Sequence, residues 1–221
     1  MRYIILMMTF FIGVFANDYK RILFISSYDR SFPTVEKQIE GINEVLDDKL
    51  YQLDIEFMDT KRLDPEEVEL TFFQVLNIKQ EVLKTYDAIL IGDDNALHFV
   101  KNYQNAFFYK KPIVFFAINN VPFAHEMAKN KFITGVIEKQ TIKETFDLIN
   151  KLHPNEDKIT TIIDDTTTAK GVINSFDKES LKRVEFLNIK NYSFSEFEKK
   201  LKTIPHSKPL LYISALVDKH S

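Results

Sequence analysis

The chain has 221 residues, 45% hydrophobic and 28% charged, enough to bury one large core or two modest ones. A formal net charge of −3 with both signs interspersed excludes the basic field that nucleic-acid binding needs. There is no cysteine, which removes disulfides, thiolate catalysis and cysteine-based zinc sites together.

The first residues, MRYIILMMTFFIGVFA, set one cation at Arg2 before an apolar run from Tyr3 to Phe15 and close on Ala16. That is the layout of a secretory signal over residues 1–16, with cleavage expected after Ala16 and a periplasmic mature chain. The run falls short of the about 20 apolar residues of a spanning helix, so an uncleaved anchor is the second reading. No later segment is long and apolar enough to span a bilayer.

Strand-like and helix-like patterns then alternate. Arg21–Ser26 is a compact apolar run, and Val35, Ile39, Ile42 and Leu46 fall at helical spacing behind it. Leu53–Asp59 alternates like a strand. Asp64 then reads as an N-cap, with Pro65 at the first helical position and Glu66 and Glu67 near the positive end of the helix dipole. AILIG and PIVFFAIN are continuously apolar, as strands covered on both faces of a parallel sheet are.

In the second half, Thr141 with Glu144 predicts a capping box ahead of the stripe Ile142, Phe146, Ile149 and Leu152. ITTIID predicts a strand. Ser193 with Glu196 predicts a second capping box, and PLLYIS a last strand. Strands alternating with helices predict an α/β fold, divided near Asn130–Thr141 into a first lobe over residues 17–136 and a second over 137–221. The second lobe offers three strong strands and no closing helix, so it is expected to be truncated.

Ligands bind beyond the carboxyl ends of strands in open α/β sheets, and every strand end here is polar. The ends are Ser26–Arg30, Asp59–Arg62, Asp93–Asn95, Asn119–Asn120, Asp164–Thr168, Asn191–Ser193 and Ser214. Mixed donors and acceptors suit a small polar ligand, although an Asp or Asn after a strand is equally a helix cap. Within the pair, Asp94 is expected to face a ligand and Asp93 to satisfy backbone N–H groups of the turn.

No catalytic constellation is legible. A metal at Asp93 and Asp94, with Asp59, would be opposed by Lys61 and Arg62. The five histidines show no ligand spacing, and there is no GxSxG, Walker loop or GxGxxG. A non-enzymatic binding protein without cofactor or metal is expected.

The strings ILFISSYDRSFPTVEKQIEGI, MDTKR, YDAILIGDDNAL, PIVFFAINN and TGVIE carry a resemblance by their joint order. The chain resembles the extracytoplasmic ligand-binding domain of bacterial sensor histidine kinases, itself similar to ABC-transporter substrate-binding proteins of type I periplasmic-binding fold. The resemblance implies two Rossmann-like lobes joined by a hinge, with a small molecule held between them. The implied pocket draws on Ser27, Tyr28, Asp94, Asn95 and Asn119 from the first lobe and on Asp164 and Thr166 from the second, with Glu138 near the crossover. Thr34 stands where family members often carry an aromatic, and the second lobe stops short of the family's return to the hinge.

The implied function is a periplasmic sensor domain for an amino acid or small polar metabolite, partnered by a membrane kinase. The alternatives are the substrate-binding component of an importer, partnered by an ABC permease, and a non-functional truncated remnant.

Overall fold

The computed structural model describes residues 19–139 and 141–220. The expected leader and its cleavage point lie outside the described residues.

The first unit is a parallel sheet built around its most apolar strand. In β1 (Lys20–Ser26) the residues Leu23, Phe24 and Ile25 are wholly buried, because the strand is paired along both edges and covered on both faces. β2 (Tyr51–Phe57) pairs with it on one side and β3 (Ala88–Gly92) on the other. β4 (Ile113–Ile118) and β5 (Ile133–Ile137) complete the order β2-β1-β3-β4-β5, all parallel.

Parallel neighbours need crossovers, and helices supply them. α1 (Pro33–Val45) follows β1, and its predicted stripe buries Val35 and Ile39 against Phe24 and Tyr28. Leu46, the last of that stripe, is already the C-cap. α2 (Pro65–Ile78) opens as predicted: the Asp64 carboxylate accepts the N–H groups of Glu66 and Glu67. That helix ends at Lys79, and a short α3 (Gln80–Leu83) follows directly. α4 (Asp94–Phe107) and α5 (Val121–Met127) pack with α2 on the sheet face opposite α1, burying Phe72, Leu76, Leu97, Phe99 and Phe123 over Leu23, Ile25, Ile89 and Ile91.

β5 belongs to this first sheet, as its edge. It approaches β4 so closely that a Cβ on Gly135 would meet the Phe115 carbonyl oxygen at 2.1 Å. The pairing slips between Phe115 and Ile118, where Ala117 takes a left-handed φ of 56°. Such a bulge re-aims the residues next to it.

The second unit repeats the plan on a smaller scale. β6 (Ile159–Ile163) lies between β7 (Val184–Asn188) and β8 (Leu210–Tyr212), all parallel, in the order β7-β6-β8. α6 (Ile142–Leu152) and α7 (Thr167–Ile173) cover one face through Phe146 and Val172, with Phe176 beyond α7. α8 (Lys178–Arg183) leads into β7, and α9 (Phe194–Lys202) covers the other face through Phe197.

The Ser193–Glu196 capping box forms in both directions. The predicted box at Thr141 does not. Thr141 has ψ 40° rather than the extended value that lays a hydroxyl over the first N–H groups, and its side chain caps nothing.

The molecule is therefore an α/β protein with two parallel sheets. In each, the strand order reverses beside the first strand, between β1 and β3 and between β6 and β8. Those switch points are where such sheets open a crevice at their carboxyl ends.

Candidate functional site

A cavity of about 240 Å³ opens where the two switch points meet. The first sheet lines it with Tyr28 after β1, Lys61 after β2, Asp93 after β3, Ala117 and Asn119 at the end of β4, and Glu138 after β5. Phe32, Thr34 and Gln38 reach it from the start of α1. The second sheet contributes Thr168 from α7 and the segment after β8, including Ser214 and Leu216.

Side chains already cross the gap. The Tyr28 and Thr168 hydroxyls lie 3.3 Å apart, and Lys61 Nζ donates to Thr168 Oγ1 at 3.0 Å. Behind them α7 comes in close: a Cβ on Gly171 would sit 3.1 Å from the Asn120 nitrogen and 3.3 Å from the Asn119 Cβ.

The adjacent carboxylates Asp93 and Asp94 do different work. Asp94 does not line the cavity. It is 2% exposed, and its two oxygens accept the backbone N–H groups of Asn119 at 3.2 Å and Asn120 at 3.1 Å. It thereby fixes the loop after β4 to the start of α4, and so positions Asn119. Asp93 takes the place expected of Asp94. It lines the cavity, caps no helix N–H, and accepts a 3.3 Å hydrogen bond from Gln38 Nε2.

The cause is backbone geometry. Asp93 holds φ 70° and ψ 168°, a region that only glycine enters freely, so its side chain leaves the chain in a direction that an ordinary turn would not give. Asp93 and Ala117 both carry this kind of strain and both line the cavity. Burial raises the Asp93 carboxyl to about 7, with smaller opposing contributions from its Gln38 and Tyr28 hydrogen bonds. Burial also raises the Tyr28 hydroxyl, with Asp93 beside it.

Four more of the predicted residues stitch the walls. Ser27 Oγ donates to the Gly92 carbonyl at 2.8 Å and accepts the Ala96 N–H at 2.8 Å, tying β3 and α4 to the end of β1. Asn95 Nδ2 donates to Thr60 Oγ1 at 2.7 Å, and Thr60 in turn donates to the Ser27 carbonyl. Asp164 plays the matching part in the second sheet, where Ser214 Oγ and Leu216 N each reach one carboxylate oxygen at 2.7 Å. Burial raises its pKa, but these bonds and those from Thr166 outweigh it and leave the group below its ordinary value. Thr166 caps α7 by accepting the Ala169 N–H.

Of the predicted site residues, Tyr28, Asn119 and Glu138 line the cavity, whereas Ser27, Asp94, Asn95, Asp164 and Thr166 build the frame around it. The cavity is also lined by Phe32, Gln38, Lys61, Asp93, Thr168 and Ser214, which sequence reasoning did not name for the pocket. Lys61, Asp93, Thr168 and Ser214 stood at polar strand ends and carried that signal. Phe32 and Gln38 sit at and beyond the start of a helix and carried none.

Among the described residues no group of three or more His, Asp or Glu side chains is placed to hold a metal ion. No helix among them is long and apolar enough to cross a membrane.

No protein-family model matches the chain, and no curated protein does. Solved structures do. The fold matches the ABC domain in complex with L-Trp from Streptococcus pneumoniae, with TM-score 0.55 and 18% identity over 78% of this chain and 58% of that one. It also matches a ligand-free, open substrate-binding protein with adhesive properties from Clostridium difficile, with TM-score 0.52 and 13% identity over 87% of this chain and 65% of that one. A third match is a solute-binding protein of an ABC transporter from Rhodopseudomonas palustris in complex with 3,4-dihydroxybenzoic acid. There the TM-score is 0.52 and the identity 14%, over 84% of this chain and 52% of that one.

The chain thus spans between about half and two thirds of the length of these structures. At such identities the likeness is one of fold: the α/β, parallel-sheet architecture of substrate-binding proteins.

Proposed function

We propose that the protein is an extracytoplasmic binding module that holds a small molecule between its two sheets and reports it to a signalling system. One observation carries the reading. The cavity is lined from both sheets at their carboxyl ends, with donors, acceptors and aromatic surface converging on about 240 Å³. The neighbours of known structure include proteins bound to L-Trp and to 3,4-dihydroxybenzoic acid. An amino acid or a small polar metabolite of that kind is the ligand class that this mixture of groups supports. That matched structures are substrate- and solute-binding proteins favours binding over chemistry.

The second reading is the binding component of an importer, favoured by the transporter association of the matched structures. In either role the leader over residues 1–16 would deliver the chain across the membrane, with Asn17 as the mature terminus. Native mass spectrometry of the purified protein tests the binding function. A small-molecule adduct at one per chain is expected, and a bare polypeptide mass from several growth media would refute it. In-cell cross-linking then separates the roles, by capture of a histidine kinase or of a permease.

A further inference from the structure

We infer that Lys61 is an anion subsite of this cavity and that the ligand presents a single carboxylate to it; the inference rests on the binding function proposed above. Three observations lead there.

The Lys61 ammonium lines the cavity and is half-buried, lying 4.7 Å from the Tyr28 ring centroid and 5.7 Å from that of Phe32. Among the described residues it makes no ion pair: its hydrogen-bond partner is the neutral Thr168 hydroxyl at 3.0 Å, and the Asp93, Asp164 and Asp94 carboxylates act on it from beyond ion-pair distance. Arg21, also partly covered, is paired with Asp54 at 2.6 Å and Lys79 with Glu56 at 2.6 Å, while Lys111 and Arg183 each donate to two backbone carbonyls. An ammonium has three donors, and Thr168 accounts for one.

Taking a charge partly out of water without a direct ion-pair partner is costly. The faces of the two rings offset part of that cost. Asp93, the cavity carboxyl nearest in chemistry to a partner, is itself pushed by burial toward its neutral form. A ligand anion would complete the site.

The other lining groups narrow the anion. The Glu138 carboxylate shares the cavity with Lys61, so a dianion such as phosphate meets repulsion that a monocarboxylate largely avoids. Phe32, Ala117, Ile213 and Leu216 give the organic part of the ligand an apolar wall. The Thr168 bond holds the ammonium in the cavity, and a carboxylate takes up its remaining donors.

The test uses three carboxylates, benzoate, phenylacetate and L-phenylalanine, each paired with its primary amide, and inorganic phosphate as a further probe. Calorimetry and thermal shift are run on the wild-type protein, on Lys61→Met, which keeps the alkyl stem over the rings, and on Lys61→Arg, which keeps the charge. At least one carboxylate is expected to bind tenfold or more tightly than its amide. That preference should vanish in Lys61→Met and return in part in Lys61→Arg, while Lys61→Met melts within a few degrees of wild type.

A preference that survives in Lys61→Met overturns the subsite alone. So does an amide that binds as well as its acid and is lost in Tyr28→Ala. Phosphate binding equal to that of the carboxylates overturns the assignment to a carboxylate. If no probe binds at all, both the subsite and the small-molecule cleft are contradicted.

Discussion

The Tyr28 hydroxyl and the Thr168 hydroxyl lie 3.3 Å apart although 140 positions separate them in the chain. This contact, with the Lys61 bond to the same Thr168 oxygen at 3.0 Å, joins the carboxyl ends of the two sheets across the cavity. Thr168→Val removes both bonds at nearly constant volume. The expected outcome is a larger radius of gyration for the ligand-free protein in small-angle scattering, with unchanged far-UV circular dichroism. An unchanged radius would show that these bonds do not hold the two sheets together.

The approach of α7 is the second device that sets the distance between the sheets. A Cβ on Gly171 already stands 3.1 Å from the Asn120 nitrogen, closer than most real contacts. Gly171→Leu adds three further carbons at that point, and the first sheet's backbone there is not free to yield, since Asp94 holds it. Ligand affinity is expected to fall at least tenfold while each sheet keeps its secondary structure. Calorimetry with the co-purified ligand checks it.

Asp93 makes stability depend on pH with a definite sign. Its folded value of about 7 lies above the 3.8 of an unperturbed aspartate, so the folded chain holds a proton that the unfolded chain has released. That contribution is fully present below about pH 4 and is lost as pH rises through about 7, at no more than about 1.4 kcal/mol per pH unit. Asp93→Asn is expected to remove this slope and to raise stability at pH 8, the amide being isosteric with the carboxylate and so no more strained at this backbone geometry. Urea denaturation of both proteins at pH 5, 6, 7 and 8 measures the difference. Parallel curves would show that Asp93 ionises normally.

The neighbouring carboxylate should behave in the opposite way. Asp94→Ala strands the N–H groups of Asn119 and Asn120, each unsatisfied group costing about 1–3 kcal/mol. A loss of about 2–4 kcal/mol in unfolding free energy is expected at neutral pH. Asp93→Ala, by contrast, should weaken ligand binding without that loss. Differential scanning calorimetry beside binding calorimetry on the two variants separates them, and equal melting temperatures would contradict the division of labour.

That division also shows where sequence reading succeeds and where it stops. The strand cores from Ile22 to Ile25 and from Ile89 to Ile91 were legible, because burial on both faces leaves an unbroken apolar run. Asp64 and Ser193 were legible as caps, because Pro65 at the first helical position and Glu196 three residues on mark where each helix starts. The order of roles in Asp93 and Asp94 was not. It is decided by a φ of 70° at a residue that is not glycine, and a strain of that kind is imposed by the surrounding structure rather than by local preference. Lys61 was visible at a strand end, but its value to the site depends on having rings beneath it and no carboxylate partner, facts that exist only once Tyr28, Phe32 and Thr168 are brought together.

The most direct measurement is a crystal structure of the protein purified with its native ligand and never unfolded. The expected result is one small molecule between the sheets, within contact distance of Tyr28, Asn119 and Thr168, with Asp94 still bound to the backbone of Asn119 and Asn120. A ligand found instead in the second cavity, of about 270 Å³ between Met58 and Phe72 beside α2, with the gap between the sheets holding only solvent, would contradict it.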